Sequence, residues 1–188
     1  MNWDKYYSSR VRSKGYESYF SKKYNTLIKS VVDYVNKDSS VIIIEEGCGI
    51  GSVTKQLLKY LPNNTYILLD KHIEMLDLAK FNLKEFDQSP IIFKQSNILD
   101  PWRSSLLESK IIVITHGVLE HFSDKHINKI INKYRKLNIT QFHYVPTSGY
   151  STPSFGDERL MPTTFWQNIT GFTEHTLVDD KDLYFKIK

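Results

Sequence analysis

Residues 41–51 read VIIIEEGCGIG, and this stretch decides the fold. Val41, Ile42, Ile43 and Ile44 form a β-branched run with no polar face, as expected of a strand covered on both sides in a parallel sheet. Gly47, Gly49 and Gly51 follow at alternate positions, where the backbone can approach a ligand because no Cβ intervenes. From Ser52 the sequence SVTKQLLKYL sets Val53, Leu57, Leu58 and Leu61 on one side of a helix. Strand, glycine turn and helix start, in that order, predict a nucleotide cradle.

The same alternation continues towards the C-terminus. Residues 65–70, TYILLD, predict a second strand ending in Asp70, and Ile73, Leu76, Ala79, Leu83 and Phe86 keep a helical period through Glu85. Pro90 opens a third strand, IIFKQ, that runs into Ser96 and Asn97. A fourth strand is predicted over 110–115, followed by HGVLEHF at 116–122 and a helix presenting Ile127, Ile130, Ile131, Tyr134 and Leu137. A fifth strand, TQFHYV, stops at Pro146. Strands and helices alternating in units of about thirty residues indicate an α/β protein with a mostly parallel sheet. Residues 147–161, rich in Ser, Thr, Gly and Pro, read as a long loop of the kind usually kept for function. A short helix over 163–169 follows, then 175–179 and 183–187 flank Asp180-Lys181-Asp182 as an antiparallel hairpin.

Towards the N-terminus, residues 2–15 lack a period and read as an arm. From Tyr16 one continuous helix is predicted, its apolar face carrying Tyr16, Tyr19, Phe20, Tyr24, Leu27, Ile28, Val31, Val32 and Val35. The tyrosines at 16, 19 and 24 are expected in the core. Tyr6, Tyr7, Arg10 and Arg12 lie outside that period and are candidate ligand or lid residues. Residues 1–37 hold eight Lys/Arg against three Asp/Glu, whereas the remainder is nearly neutral, so the basic character is local. It is too slight to assign nucleic-acid binding on charge alone.

A chain of 188 residues suits one domain. No apolar run approaches the roughly 18 residues needed to cross a bilayer, and no secretory leader is evident, so a cytoplasmic location is expected. Cys48 is the one cysteine, which excludes an internal disulfide and any multi-cysteine metal site; no metal is expected.

The residues also discriminate between cofactors. A dinucleotide fingerprint G-x-G-x-x-G would need glycine at 52, where Ser52 stands. Glu45 precedes the turn, and a carboxylate there disfavours a pyrophosphate but welcomes an ammonium group. Asp70, 19 residues past Gly51 at a strand end, is placed to accept from both hydroxyls of a ribose. A nicotinamide-dependent Rossmann enzyme is therefore the weaker alternative.

The E-x-G-x-G-x-G run from Glu45, together with Asp70, Asn97 and HGVLEHF, resembles the class I S-adenosylmethionine-dependent methyltransferases over roughly residues 40–145. The resemblance implies a Rossmann-like methyltransferase fold: a mostly parallel seven-stranded sheet with a C-terminal antiparallel hairpin and helices on both faces. It implies a single methyltransferase domain over 1–188, with 1–37 as arm, helix and lid and 38–188 as the catalytic core. S-adenosylmethionine would be the cofactor and S-adenosylhomocysteine the product. Glu45, Gly47, Gly49 and Gly51 would line the methionine side, and Asp70 would hold the ribose. Lys71 and Met75 would lie beside the adenine. Asn97, where the family usually has an acid, would accept from the adenine amino group, and Ile98 would donate a backbone N–H. His116 and Gly117 would meet the methionine end.

Methyl transfer is an in-line displacement, so a base is needed only for an acceptor that must lose a proton; His116, Glu120 and His121 are the candidates. The acceptor would be shaped by the arm and by Tyr150 and Arg159 in the long loop. The amino-methyltransferase motif Asn/Asp-Pro-Pro-Tyr/Phe is absent, and so is a Pro-Cys nucleophile. A small-molecule acceptor is expected, with an RNA or protein acceptor, or a non-catalytic nucleoside-binding module of the same fold, as alternatives.

Overall fold

The computed structural model describes residues 14–101, 109–154 and 157–188. Tyr6, Tyr7, Arg10 and Arg12 lie outside the described residues. The chain divides into two compact units, one ending at Ile98 and the other beginning at Leu99.

The first unit contains helices α1 (Lys14–Lys23) and α2 (Asn25–Val35), strand β1 (Ile42–Glu46) and helix α3 (Ser52–Leu58). Strand β2 (Tyr66–Asp70), helix α4 (Ile73–Asn82) and strand β3 (Ile91–Gln95) follow. β2 lies between β1 and β3, parallel to both, with Leu68 opposite Glu45 and Phe93. β2 is buried along its whole length, as an interior strand made of YILLD must be. β1 runs past its isoleucines into the acids, so Glu45 and Glu46 are buried too. β3, by contrast, leaves Ile92 51% exposed.

The continuous N-terminal helix expected from the period is interrupted. Tyr24 takes φ −99° and ψ 12° and separates α1 from α2, although its N–H still donates to Phe20 O and its carbonyl still accepts from Ile28 N. Phe20 and Tyr24 sit with ring centroids 4.1 Å apart at this interruption. Phe20 occupies the core position, and adjacent residues on a helix point about 100° apart, so Tyr19 is left 58% exposed instead of packing inside. α4 also ends earlier than its period suggests: a 3-10 turn, Lys84–Phe86, replaces its last turn.

The second unit contains strand β4 (Ile111–His116), helix α5 (Asp124–Arg135) and strand β5 (Thr140–Pro146). Helix α6 (Thr163–Thr170) and strands β6 (Glu174–Val178) and β7 (Asp182–Ile187) complete it. β4 and β5 are parallel, and β7 pairs antiparallel with both β5 and β6. The hairpin turn keeps the three residues expected but sits one position earlier, over 179–181 instead of 180–182. Asp179 and Asp180 take left-handed conformations, and Asp182 enters β7, opposite Pro146 and Val178. Asp182 is held there because its Oδ2 accepts from Tyr150 Oη at 2.7 Å.

The seven strands form one sheet in the order β3-β2-β1-β4-β5-β7-β6, mostly parallel with an antiparallel C-terminal strand and helices around it. Among the described residues no helix is long and apolar enough to cross a membrane.

Candidate functional site

The glycine turn folds tightly over the C-terminal end of β2. Gly47, Gly49 and Gly51 have φ of 68°, 52° and 69°, a region that side chains disfavour. Gly47 N and Cys48 N both donate to Leu69 O, at 2.8 and 3.0 Å. Gly49 N donates to Asp70 Oδ2 at 2.9 Å, and Gly51 N donates to Cys48 O at 2.8 Å. These four N–H groups are consumed within the protein, so the turn does not offer them to an anion as a phosphate-binding nest does. A Cβ on Gly49 would meet nothing within 4 Å, whereas one on Gly51 would lie 3.0 Å from Leu83 and 3.2 Å from Leu68. Gly49 thus borders open space and Gly51 borders the core.

Asp70 is fixed at the other side of the turn. Its Oδ1 accepts from His72 N at 2.9 Å while Oδ2 accepts from Gly49 N. A carboxylate oxygen has room for two donors, so each oxygen retains capacity for a hydroxyl. Lys71 and Asn97 are exposed, whereas Met75 and Ile98 are buried. Cys48 is buried, and burial pushes its thiol pKa well up, leaving a packing residue and no nucleophile.

Glu45 serves the helix after the turn. Its Oε2 accepts from Thr54 N at 3.1 Å and from Thr54 Oγ1, so it caps the first turn of α3 from a distance. Burial raises its pKa to about 7, with the Thr54 hydrogen bonds opposing and the nearby Asp70 charge adding. Sequence reasoning missed both Thr54 and Asn82. Asn82 Nδ2 donates to Ile50 O at 2.9 Å. An asparagine at a helix end reads as an ordinary C-terminal cap, and no spacing rule marks its reach into the turn.

In the second unit β4 ends at His116, which is half-buried, and Gly117 at φ 63° donates its N–H to Tyr144 O. Glu120 is 1% exposed and lies in a 3-10 turn, Leu119–His121; its Oε1 is 3.6 Å from where a Gly117 Cβ would stand. His121 Nδ1 lies 3.2 Å from Asp157 Oδ1. The loop 147–161 is anchored at both ends. Thr147 N and Oγ1 both donate to Lys181 O at 2.8 Å. Arg159 donates to Phe122 O and Asp124 Oδ1, both at 2.6 Å, and its backbone N–H donates to Glu120 O. Arg159 and Tyr150 therefore brace the loop through these bonds. Behind β4 and β5, Gln141 Nε2 donates to Ile131 O, which turns its Oε1 towards His143 Nε2. His143 thus carries its proton on Nε2 and accepts from Thr115 Oγ1 at Nδ1.

A family model described as a methyltransferase domain matches residues 43–138, just over half of the chain. The chain belongs to the methyltransferase domain family. The class is the S-adenosylmethionine-dependent one with the Rossmann-like fold, and S-adenosylmethionine is its cofactor. No curated protein matches the sequence. Among solved structures, the PH0226 protein from Pyrococcus horikoshii OT3 superposes with a TM-score of 0.73 at 15% identity, over 97% of each chain. The pyocyanin biosynthetic protein PhzM superposes with a TM-score of 0.67 at 15% identity, over 96% of this chain and 60% of that one. This methyltransferase domain thus spans less than two thirds of PhzM. The magnesium protoporphyrin IX methyltransferase of Synechocystis PCC 6803, solved with bound S-adenosylhomocysteine, gives 0.67 at 13% identity, over 87% of this chain and 82% of that one. At these identities the likeness is one of fold.

Proposed function

We propose that this domain transfers the methyl group of S-adenosylmethionine to a small-molecule acceptor. The observation that carries the cofactor half of the reading is the Gly49–Asp70 pairing. It leaves a fixed carboxylate beside an open glycine face, in a turn whose inward N–H groups suit a nucleoside better than a pyrophosphate. The small-molecule half rests on HGVLEHF at 116–122, which resembles the small-molecule methyltransferases, and on the absence from the sequence of the amino-group and cytosine-C5 motifs.

In the first unit Asp70 would accept from the ribose hydroxyls. Gly47 and Gly49 would let the backbone lie against the nucleoside, with Gly51 behind them packed on the core and Glu45 beneath on the methionine side. Lys71, Met75, Asn97 and Ile98 would border the adenine. In the second unit His116 and Gly117 would meet the methionine end. When bound, S-adenosylmethionine supplies a methyl group already activated on a sulfonium. For an acceptor that must lose a proton, His121 would take it on Nε2, and Asp157, 3.2 Å from Nδ1, would stabilise the imidazolium. Glu120 and His116 are the other candidates for that role. Tyr6, Tyr7, Arg10 and Arg12 would form a lid over the cofactor, an idea abandoned if deleting residues 1–14 changes neither affinity nor turnover.

Calorimetry with S-adenosylhomocysteine and NAD tests the cofactor: binding of the first alone is expected. Labelled methyl incorporation, screened over small molecules, RNA and protein fractions, tests the acceptor. Label entering only RNA or only protein would overturn the small-molecule reading, and no label in any fraction would favour a non-catalytic nucleoside-binding module.

A further inference from the structure

Asn82, the last residue of α4, stands between the glycine turn and the half-buried Lys55. Its Nδ2 donates to Ile50 O at 2.9 Å, and its Oδ1 accepts from Lys55 Nζ at 3.4 Å. With a carbonyl on one side and an ammonium on the other, the amide has one satisfactory orientation. Lys55 is itself tethered, with Nζ 2.9 Å from Glu85 Oε1 and 3.6 Å from Glu17 Oε2, and its side chain is 16% exposed. The Ile50–Gly51 peptide is consequently clamped at both of its polar atoms. Its carbonyl is held by Asn82, and its N–H by Cys48 O. Behind it a Cβ on Gly51 would crowd Leu83 and Leu68 at 3.0 and 3.2 Å, so the turn has little room to retreat towards α4.

We propose that Asn82 is a positioning residue for cofactor binding: by fixing the Ile50–Gly51 peptide plane it sets the face that Gly49 presents to the ligand. The proposal rests on the cofactor reading given above. Asn82 acts through the turn and touches no reacting atom. Its contribution is preorganisation, since a turn left to fluctuate would have to be ordered at the moment of binding.

Asn82→Asp separates this role from a merely structural one. An aspartate keeps and strengthens the contact with Lys55, but it cannot donate to Ile50 O and sets an acceptor against an acceptor. The measurements are S-adenosylhomocysteine affinity by calorimetry, thermal melting, and hydrogen exchange of the Gly51 amide without ligand. Asn82→Asp and Asn82→Ala are both expected to weaken binding about fivefold to tenfold, the worth of one hydrogen bond. Gly51 exchange should quicken in both, with the Asn82→Asp melting temperature held. Wild-type affinity and unchanged Gly51 exchange in Asn82→Asp would overturn the proposal, and would do so even if Asn82→Ala were weakened, because Lys55 anchoring would then explain the loss. Failure of the wild type to bind would overturn the cofactor reading and this role together, an outcome distinct from binding that ignores Asn82.

Discussion

Gly49 and Asp70 are joined by a 2.9 Å hydrogen bond from backbone N–H to carboxylate, across 21 positions of sequence. The glycine after β1 and the acid at the end of β2 are therefore two halves of one device. With His72 N holding the other oxygen, the carboxylate cannot rotate without breaking a charge-assisted bond.

Removing the acid should cost affinity heavily. Asp70→Ala is expected to weaken S-adenosylhomocysteine binding on the order of a hundredfold or more, since each ribose hydrogen bond to a charged acceptor is worth about 1.5–3 kcal/mol. Asp70→Asn should not rescue it, because its NH2 would face either Gly49 N–H or His72 N–H. Calorimetry on the three proteins checks both statements, and wild-type affinity in Asp70→Ala would remove the ribose assignment.

Stability should show two opposed pH dependences. Glu45, raised to about 7 from 4.5 chiefly by burial, holds an extra proton in the folded state between those values. Its pH-linked stabilisation is full below pH 4.5 and is lost as pH rises through 7. His143, lowered to about 3 from 6.5 by burial, does the reverse: its contribution is full above pH 6.5 and is lost as pH falls through 3. Between pH 4.5 and 6.5 the slopes oppose each other. Glu45→Gln should therefore make stability climb more steeply with pH in that window, and His143→Gln should make it fall. Denaturant titrations at several pH values read both slopes.

Gly149 has no room for a side chain. A Cβ there would stand 2.0 Å from Asp180 O, a backbone atom in the β6–β7 turn that cannot swing aside. Gly149→Ala should cost about 2–4 kcal/mol and loosen residues 147–161, seen as a lower melting temperature and faster proteolysis within the loop. An unchanged melting temperature would show that the loop is not packed on that turn.

Trp166 is fully buried, and its indole N–H has no hydrogen-bond partner among the described residues. Phenylalanine would lose packing against Phe165 and Phe185 but would also remove a buried donor that costs about 1–3 kcal/mol. Trp166→Phe should then destabilise by less than about 1.5 kcal/mol, against about 3–5 kcal/mol for Trp166→Ala. Comparable losses in the two variants would indicate that the N–H is satisfied.

The sheet was legible in the sequence because buried strands leave an unmistakable record: YILLD and IIVIT have no polar face, and HYVP stops at a proline. The turn was legible because its three glycines sit at positive φ, where other residues are strained. What escaped was every relationship made by one side chain reaching a distant backbone group. Glu45 reads as a ligand-facing acid, yet its Oε2 is engaged with Thr54. Arg159 reads as an acceptor clamp, yet its guanidinium spans Phe122 O and Asp124. The interruption at Tyr24 was hidden for another reason. Its hydrogen-bond ladder is intact, and an apolar period survives a local departure from helical dihedrals.

The outermost strand on one side of the sheet, β3, has practical weight for anyone handling the protein. Ile91, Ile92 and Phe93 form a short run of strongly β-forming residues, and Ile92 points half out into solvent. Such a border can recruit the same border of another molecule into intermolecular ladders, and Pro90 and Lys94 flank it in sequence as gatekeepers. Losses to aggregation during expression or concentration should start at this border, and Ile92→Lys is the substitution that should relieve them while leaving the glycine turn alone.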